Sequence, residues 1–175
     1  MSRTTSSSAA LPIAFGVLRI LIIANWAMGV AILALLLASP NERWIMEAFK
    51  LSPSPDAERL VTGLRAVALL GLVTIPLNYS ILSRLLAIVN TVRVGNPFVA
   101  ANASRLQAIA WVLLALQLLS IVIGAIGNAV STTEHPVHLD AGFSINAWLA
   151  VLLTFLLARV FAEGTRMRED LEGTV

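Results

Sequence analysis

The stretch that decides the fold is Leu106–Val130, LQAIAWVLLALQLLSIVIGAIGNAV, which runs for 25 residues without a charged side chain. A bilayer core about 30 Å thick is crossed by about 20 apolar residues in a helix. Lipid offers the backbone no hydrogen-bond partners, so a segment of this kind must be helical where it crosses the membrane. We therefore predict a transmembrane helix over residues 106–130.

Three further apolar segments flank this one, at Pro12–Ala38, Thr62–Asn90 and Ile145–Ala162. The 175-residue chain is 58% hydrophobic, with a mean hydropathy of +0.85, and a soluble domain of that composition would aggregate. The first segment exceeds the roughly 7–15 apolar residues of a signal peptide, so we expect it to be retained. The sequence predicts an all-α protein with a single membrane domain over residues 1–175, built as a four-span transmembrane helix bundle.

Charge around the breaks predicts the orientation. Arg84, Arg93 and Arg105 lie around the second break without an acid, whereas the third break contains Glu134 and Asp140 without a Lys or Arg. Short loops rich in Lys and Arg stay in the cytoplasm. The second loop is therefore expected inside, and an even number of spans places both termini there as well (N-in/C-in).

Local patterns predict how the segments begin and end. Residues Met1–Ala10 are rich in Ser and Thr and are expected to be disordered. The stretch Asn41–Lys50 is amphipathic and indicates either an interfacial helix or a loop lid on the bundle. Ser54 and Asn96 each precede a proline and are predicted to cap the second and third helices. A charged helical tail over residues 163–175 should leave the membrane after the fourth span.

Four polar side chains lie near the middle of the four spans, where polar groups are most costly: Asn25, Asn78, Gln117 and Thr154. They predict a mid-membrane polar layer. Its role is either hydrogen bonding between helices or a small cavity for a ligand or ion. No acid lies at this depth, so a proton relay or cation pump is not expected.

Arginines near the inner ends of three spans, Arg19, Arg84 and Arg159, are expected to reach the cytoplasmic headgroups. The alternative is a basic pocket for an anionic lipid.

The chain shows no signature of an enzyme. It has no cysteine, no glycine-rich phosphate loop and no nucleophile elbow. His135 and His138 share an outer loop with two acids, but Pro136 between them and the lack of a supporting helix argue against a metal site. We expect no catalytic residue, no metal and no cofactor. The positive charge is too dispersed to predict direct binding of nucleic acid.

Two stretches carry a resemblance to a known family. They are GNPFVAANASRL at Gly95–Leu106 and FAEGTRMREDLEGTV at Phe161–Val175. Together with four spans, they resemble the domain of unknown function 2975 family of small bacterial inner-membrane proteins. The matching positions are Gly95, Pro97, Phe98, Asn102, Arg105, Gly164, Arg168, Glu169, Asp170, Thr174 and Val175. Ser104 and Gln107 stand where more basic residues are typical.

The resemblance implies a function without implying a reaction, because the family has no established activity or cofactor. Members are often encoded beside a small helix-turn-helix regulator of the Cro/CI type. We therefore expect a regulatory protein of the bacterial inner membrane that docks such a partner. The expected contact residues are Phe98, Asn102, Arg105, Arg168, Glu169 and Asp170. The alternatives are a ligand or lipid sensor or small transporter that uses the polar layer, and an accessory subunit of a membrane complex. A homo-oligomer also remains open.

Overall fold

The computed structural model describes residues 7–38, 54–131 and 139–172, and within these ranges it contains four helices and no strand. The helices are α1 (Ser7–Ala38), α2 (Pro55–Arg93), α3 (Ala100–Val130) and α4 (Ile145–Glu172). Each contains an apolar stretch long enough to cross a membrane. The prediction of an all-helical, four-span membrane protein is therefore confirmed. The predicted interfacial segment Asn41–Lys50, both histidines, Thr174 and Val175 lie outside the described residues.

The helices extend beyond the apolar segments that predict them. Helix α1 already begins at Ser7, inside the stretch expected to be disordered, and α4 continues to Glu172 as a helical tail. The start of α2 follows the predicted cap. The Ala57 amide donates to the Ser54 hydroxyl at 3.1 Å, and the Glu58 amide donates to the Ser54 carbonyl at 3.1 Å. These bonds satisfy amides that the first turn of a helix otherwise leaves unpaired.

The connection between α2 and α3 differs from its prediction, because Gly95 and Asn96 close α2 and do not open α3. Gly95 has a φ of 82°, a left-handed conformation that glycine adopts without steric cost. The Gly95 amide donates to the Val92 carbonyl and the Asn96 amide to the Thr91 carbonyl, each at 3.0 Å. This pair of bonds is a Schellman helix end. The prediction that Asn96 caps α3 is wrong, since α3 begins at Ala100.

The chain forms two compact units. The first unit comprises the residues up to Asn25, Leu77–Leu114, and the residues from Ile145 onward, whereas the second comprises Trp26–Pro76 and Ala115–Ser144. Three helices contribute to both units, so neither unit is one continuous stretch of chain. The expectation of a single membrane domain stays a prediction.

The helices bury little of their apolar surface within the chain. None of the described large apolar side chains of α1 is buried, and Ile13, Ile23 and Leu37 are mostly exposed. In the second unit, Ala57, Leu60 and Val61 form a small core against Leu64 and Val130. Exposed apolar surface of this extent requires an apolar solvent, as a lipid bilayer provides.

Candidate functional site

The first unit contains a fully buried polar residue, Asn102, in the first turn of α3. Its amide nitrogen donates to the Thr91 hydroxyl at 2.7 Å and to the Pro97 carbonyl at 2.9 Å. Its amide oxygen accepts from the Arg105 guanidinium at 2.9 Å. A buried amide needs such partners to offset its desolvation. Asn102 therefore joins the end of α2, the connection and the start of α3.

This arrangement corrects the prediction that Asn102 contacts a docking partner. Its side chain is fully buried, and all the bonds described above lie within the chain. Asn102 fixes the shape of the connection and is not available for docking. Arg105 is half-buried and donates to Asn102, and its role in docking stays a prediction.

The connection is attached to the end of α4 by two contacts. The Phe98 ring lies 5.4 Å from the Phe161 ring, centroid to centroid, and the Arg168 guanidinium donates to the Asn96 side chain at 3.3 Å. A Cβ added at Gly164 would lie 3.0 Å from the Phe98 ring, so the absence of a side chain there allows this approach. We call these five residues the clasp. They explain three of the matching positions in the two stretches, Phe98, Gly164 and Arg168, by packing within the chain.

The tail of α4 leaves a set of side chains exposed beside the clasp. Glu169 and Asp170 are exposed, as a docking role requires, and Phe98 remains partly accessible at 42%. Sequence reasoning missed Met167 and Leu171, which are 57% and 72% exposed. Their spacing of four residues in an otherwise charged segment is the signal that could have identified them, because it places both on one side of a helix.

A cavity of about 580 Å³ lies between the first turns of α3 and residues 155–169 of α4. Its volume is within the range of small-ligand sites. Polar and charged side chains line one part and apolar side chains the rest. The full lining is Ala100, Ala103, Ser104, Gln107, Phe155, Ala158, Arg159, Ala162, Thr165, Arg166 and Glu169. None of the predicted polar-layer residues is among them.

The three arginines predicted near the inner ends of the spans have different surroundings. Arg19 lies over the Phe15 ring at 4.8 Å, a cation–π contact, and Arg93 lies over the same ring at 5.1 Å. The Arg84 guanidinium donates to the Ser80 carbonyl of its own helix at 2.9 Å. Arg159 alone of the three lines the cavity.

Two members of the predicted polar layer, Gln117 and Thr154, make hydrogen bonds to backbone carbonyls. Thr154 donates to the Ala150 carbonyl one turn earlier on α4, at 2.7 Å. Gln117 is buried and donates to the Gly142 carbonyl at 3.2 Å. Asn25 and Asn78 are half-buried in the first unit. The layer as a ligand cavity therefore stays a prediction.

In the second unit, the connection after α3 packs against that helix and places Gly142 within hydrogen-bond distance of Gln117. The Ser120 hydroxyl accepts from the Gly142 amide at 3.1 Å, and Gly142 has a φ of 131°. A Cβ added at Gly124 would lie 2.7 Å from the Ala141 carbonyl oxygen. The connection thus packs against α3 about ten residues before that helix ends, with its polar groups paired. Such pairing is what non-helical backbone needs at membrane depth.

No metal site is found in the described residues, which contain no group of three or more His, Cys, Asp or Glu side chains able to hold an ion. His135 and His138 fall outside these residues, so the expectation that they bind no metal stays a prediction.

Comparison with known proteins gives one match. The sequence model of a family described as "Protein of unknown function (DUF2975)" matches residues 40–175, which include the cavity and every clasp residue. No curated protein and no solved structure matches the chain.

Proposed function

We propose that this protein, which belongs to the DUF2975 family, is a regulatory protein of the bacterial inner membrane that docks a soluble cytoplasmic partner. The docking face comprises Phe98 and the exposed tail of α4. A small helix-turn-helix regulator, the partner class that the resemblance implies, is the expected occupant. The protein itself makes no direct contact with nucleic acid and catalyses no reaction.

The observation that supports this proposal is the clasped continuation of α4. Its 28 residues extend about 42 Å at 1.5 Å per residue, longer than a bilayer core of about 30 Å. The end of the helix therefore projects into water, where the clasp holds it against the α2–α3 connection. Exposed apolar side chains on such a helix favour a protein partner over solvent.

The chemistry of the exposed tail supports one kind of partner. Met167 and Leu171 are spaced as anchors of a helix that lies in an apolar groove. Glu169 and Asp170 beside them would form a charged rim. The partner is thus a soluble protein with an apolar groove and basic residues around it.

The orientation that this function requires has a direct test. The natural chain has no cysteine, so single cysteines introduced at Ser104 and at Asp140 report their sides of the membrane. A membrane-impermeant maleimide should label D140C in intact cells and S104C only after lysis. Labelling of S104C in intact cells would overturn the cytoplasmic assignment.

The docking itself is tested by recovery of partners from membranes solubilised in mild detergent. The double variant Met167→Gln/Leu171→Gln keeps the clasp and the charges and should lose the soluble partner. The matched control Glu58→Gln/Arg59→Gln changes two exposed residues in the first turns of α2 and should retain it. Equal recovery by wild type and both variants would refute the docking face. Recovery of membrane proteins alone would favour an accessory subunit instead.

A further inference from the structure

The cavity between α3 and α4 has a gradient from apolar to charged side chains. On α4 the lining proceeds from Phe155 and Ala158 to Arg159, and then to Arg166 and Glu169 near the end of the helix. These residues extend over about 21 Å along the helix axis, at 1.5 Å per residue. An amphipathic molecule with an apolar end and an anionic end matches this order.

The two arginines in the cavity lining favour an anionic group on the bound molecule. Arg159 and Arg166 are seven residues apart, so they lie on the same face of α4 about 10 Å apart along the axis. Neither guanidinium has a hydrogen bond or ion pair with another residue in the part of the chain that the structure describes. Glu169 is the one acid in the lining, so the ionisable groups leave a net charge of +1. Arginine is suited to phosphate because its planar fork presents several donors.

The α3 side of the cavity adds small and neutral polar groups. Ala100 and Ala103 leave room beside the arginines, while Ser104 and Gln107 provide a hydroxyl and an amide. These last two positions depart from the more basic residues typical of the resemblance. The Ser104 hydroxyl donates to the Ala101 carbonyl at 2.9 Å, so the Gln107 amide is the neutral donor that can hydrogen-bond a phosphate diester without adding charge.

The apolar end of the cavity is continuous with the lipid-facing surface. The Phe155 ring packs edge-on against Trp111, with centroids 5.2 Å apart, and Trp111 is 58% exposed. A ligand whose headgroup meets the arginines can therefore extend its apolar part along these two rings into the bilayer. A free soluble anion would leave this part of the cavity unused.

We infer that the α3–α4 cavity binds the headgroup of an anionic phospholipid, with its phosphate at Arg159 and Arg166 and its acyl chains along Phe155 and Trp111. This site is separate from the exposed anchors Met167 and Leu171, and it does not depend on the proposed docking function. A phospholipid and a soluble phosphate would present the same group to the arginines, so the experiment must distinguish a lipid from a free phosphate.

The first test is native mass spectrometry of the full-length protein in detergent with an equimolar mixture of phosphatidylglycerol and phosphatidylcholine. The wild-type protein should retain one phosphatidylglycerol molecule in preference to phosphatidylcholine. Each arginine near a lipid headgroup contributes about fivefold in affinity. Arg159→Gln/Arg166→Gln should therefore lower the preference on the order of 25-fold. The control Arg84→Gln removes an arginine bonded to its own helix and should keep the preference.

A second variant guards against misfolding of the double mutant. Ala103→Leu leaves both arginines in place and narrows the cavity from the α3 side, so it should also weaken the retention of phosphatidylglycerol. A brominated phosphatidylglycerol should quench tryptophan fluorescence in wild type, and Trp111→Phe should remove most of that quenching. Equal retention of both lipids by wild type, or an unchanged preference in A103L, would overturn the inference. Displacement of the lipid by millimolar inorganic phosphate would assign the site to a soluble anion and overturn the lipid assignment.

Discussion

Asn102 offers the sharpest test of how the α2–α3 connection is held. Asn102→Ala removes a fully buried amide and three hydrogen bonds, to Thr91, Pro97 and Arg105. A neutral hydrogen bond contributes about 1 kcal/mol net, and a charged one more, reduced here because Arg105 is partly exposed. The free energy of unfolding should therefore fall by about 3 kcal/mol, or roughly 100-fold in the unfolding equilibrium constant.

The assay is unfolding of the detergent-solubilised protein in increasing SDS, followed by tryptophan fluorescence. Asn128→Ala is the matched control, because Asn128 is an exposed asparagine on the same helix. Both substitutions gain the same helix propensity, so their difference reports the buried bonds. The control should change stability by less than about 0.5 kcal/mol.

A double-mutant cycle separates one bond from the others. Thr91→Val removes the hydroxyl that accepts from Asn102. In a variant that already lacks the amide, this substitution should be less destabilising by about 1 kcal/mol than in wild type. If Asn102→Ala unfolded at the same SDS concentration as Asn128→Ala, the assignment of Asn102 as the centre of the connection would be refuted.

Two further substitutions test close packing in the two units. Gly124→Ala should cost about 1–3 kcal/mol, because the new Cβ would meet the Ala141 carbonyl oxygen at 2.7 Å. Gly16→Ala has nothing within 4 Å and should stabilise the protein by about 0.5–1 kcal/mol in the same SDS titration, because alanine is the better helix former. Equal effects of the two would contradict the close approach at Gly124. Phe98→Ala should lose a ring pair that contributes about 0.5–1.5 kcal/mol beyond burial and should release the end of α4 from the connection. Trypsin should then cleave at the tail arginines faster than in wild type, and an unchanged cleavage rate would show that the Phe161 contact does not hold the tail.

The membrane fold could be predicted from the sequence because its cause is local. A long uncharged segment such as 106–130 has few alternatives to a helix in lipid. The Ser54 cap could be predicted for the same reason, since a cap involves residues within one helical turn. Asn96 followed by Pro97 has the same N-cap pattern. In the structure, however, the left-handed Gly95 and the amide hydrogen bonds of Gly95 and Asn96 end α2. Two local motifs compete there, and the sequence does not show which one forms.

The contacts of the site could not be predicted, because they join distant parts of the chain. Asn96 and Arg168 are 72 residues apart, and Gln117 and Gly142 are 25 apart. The mid-span position of Gln117 suggests a contact with polar residues at the same depth. In the structure, Gln117 instead bonds to Gly142 in the connection after α3. The sequence assigns the distinctive cytoplasmic positions to a partner because it shows no internal contact for them. Several of them instead form the clasp.

The most direct measurement of the clasp is a disulfide test in isolated membranes. The natural chain has no cysteine, and a Cβ at Gly164 would lie 3.0 Å from the Phe98 ring. Phe98→Cys/Gly164→Cys removes the ring pair but keeps the Arg168–Asn96 bond, which should bring the two thiols near disulfide distance often enough to react. Phe98→Cys/Asp170→Cys is the control, because Asp170 is exposed and lies about 9 Å along α4 from Gly164 and about a third of a turn around the helix. Oxidation should give an intramolecular bond, seen as a reversible shift in gel mobility, for the first pair and not for the control. A first pair that stays reduced, or that reacts no faster than the control, would contradict the clasp.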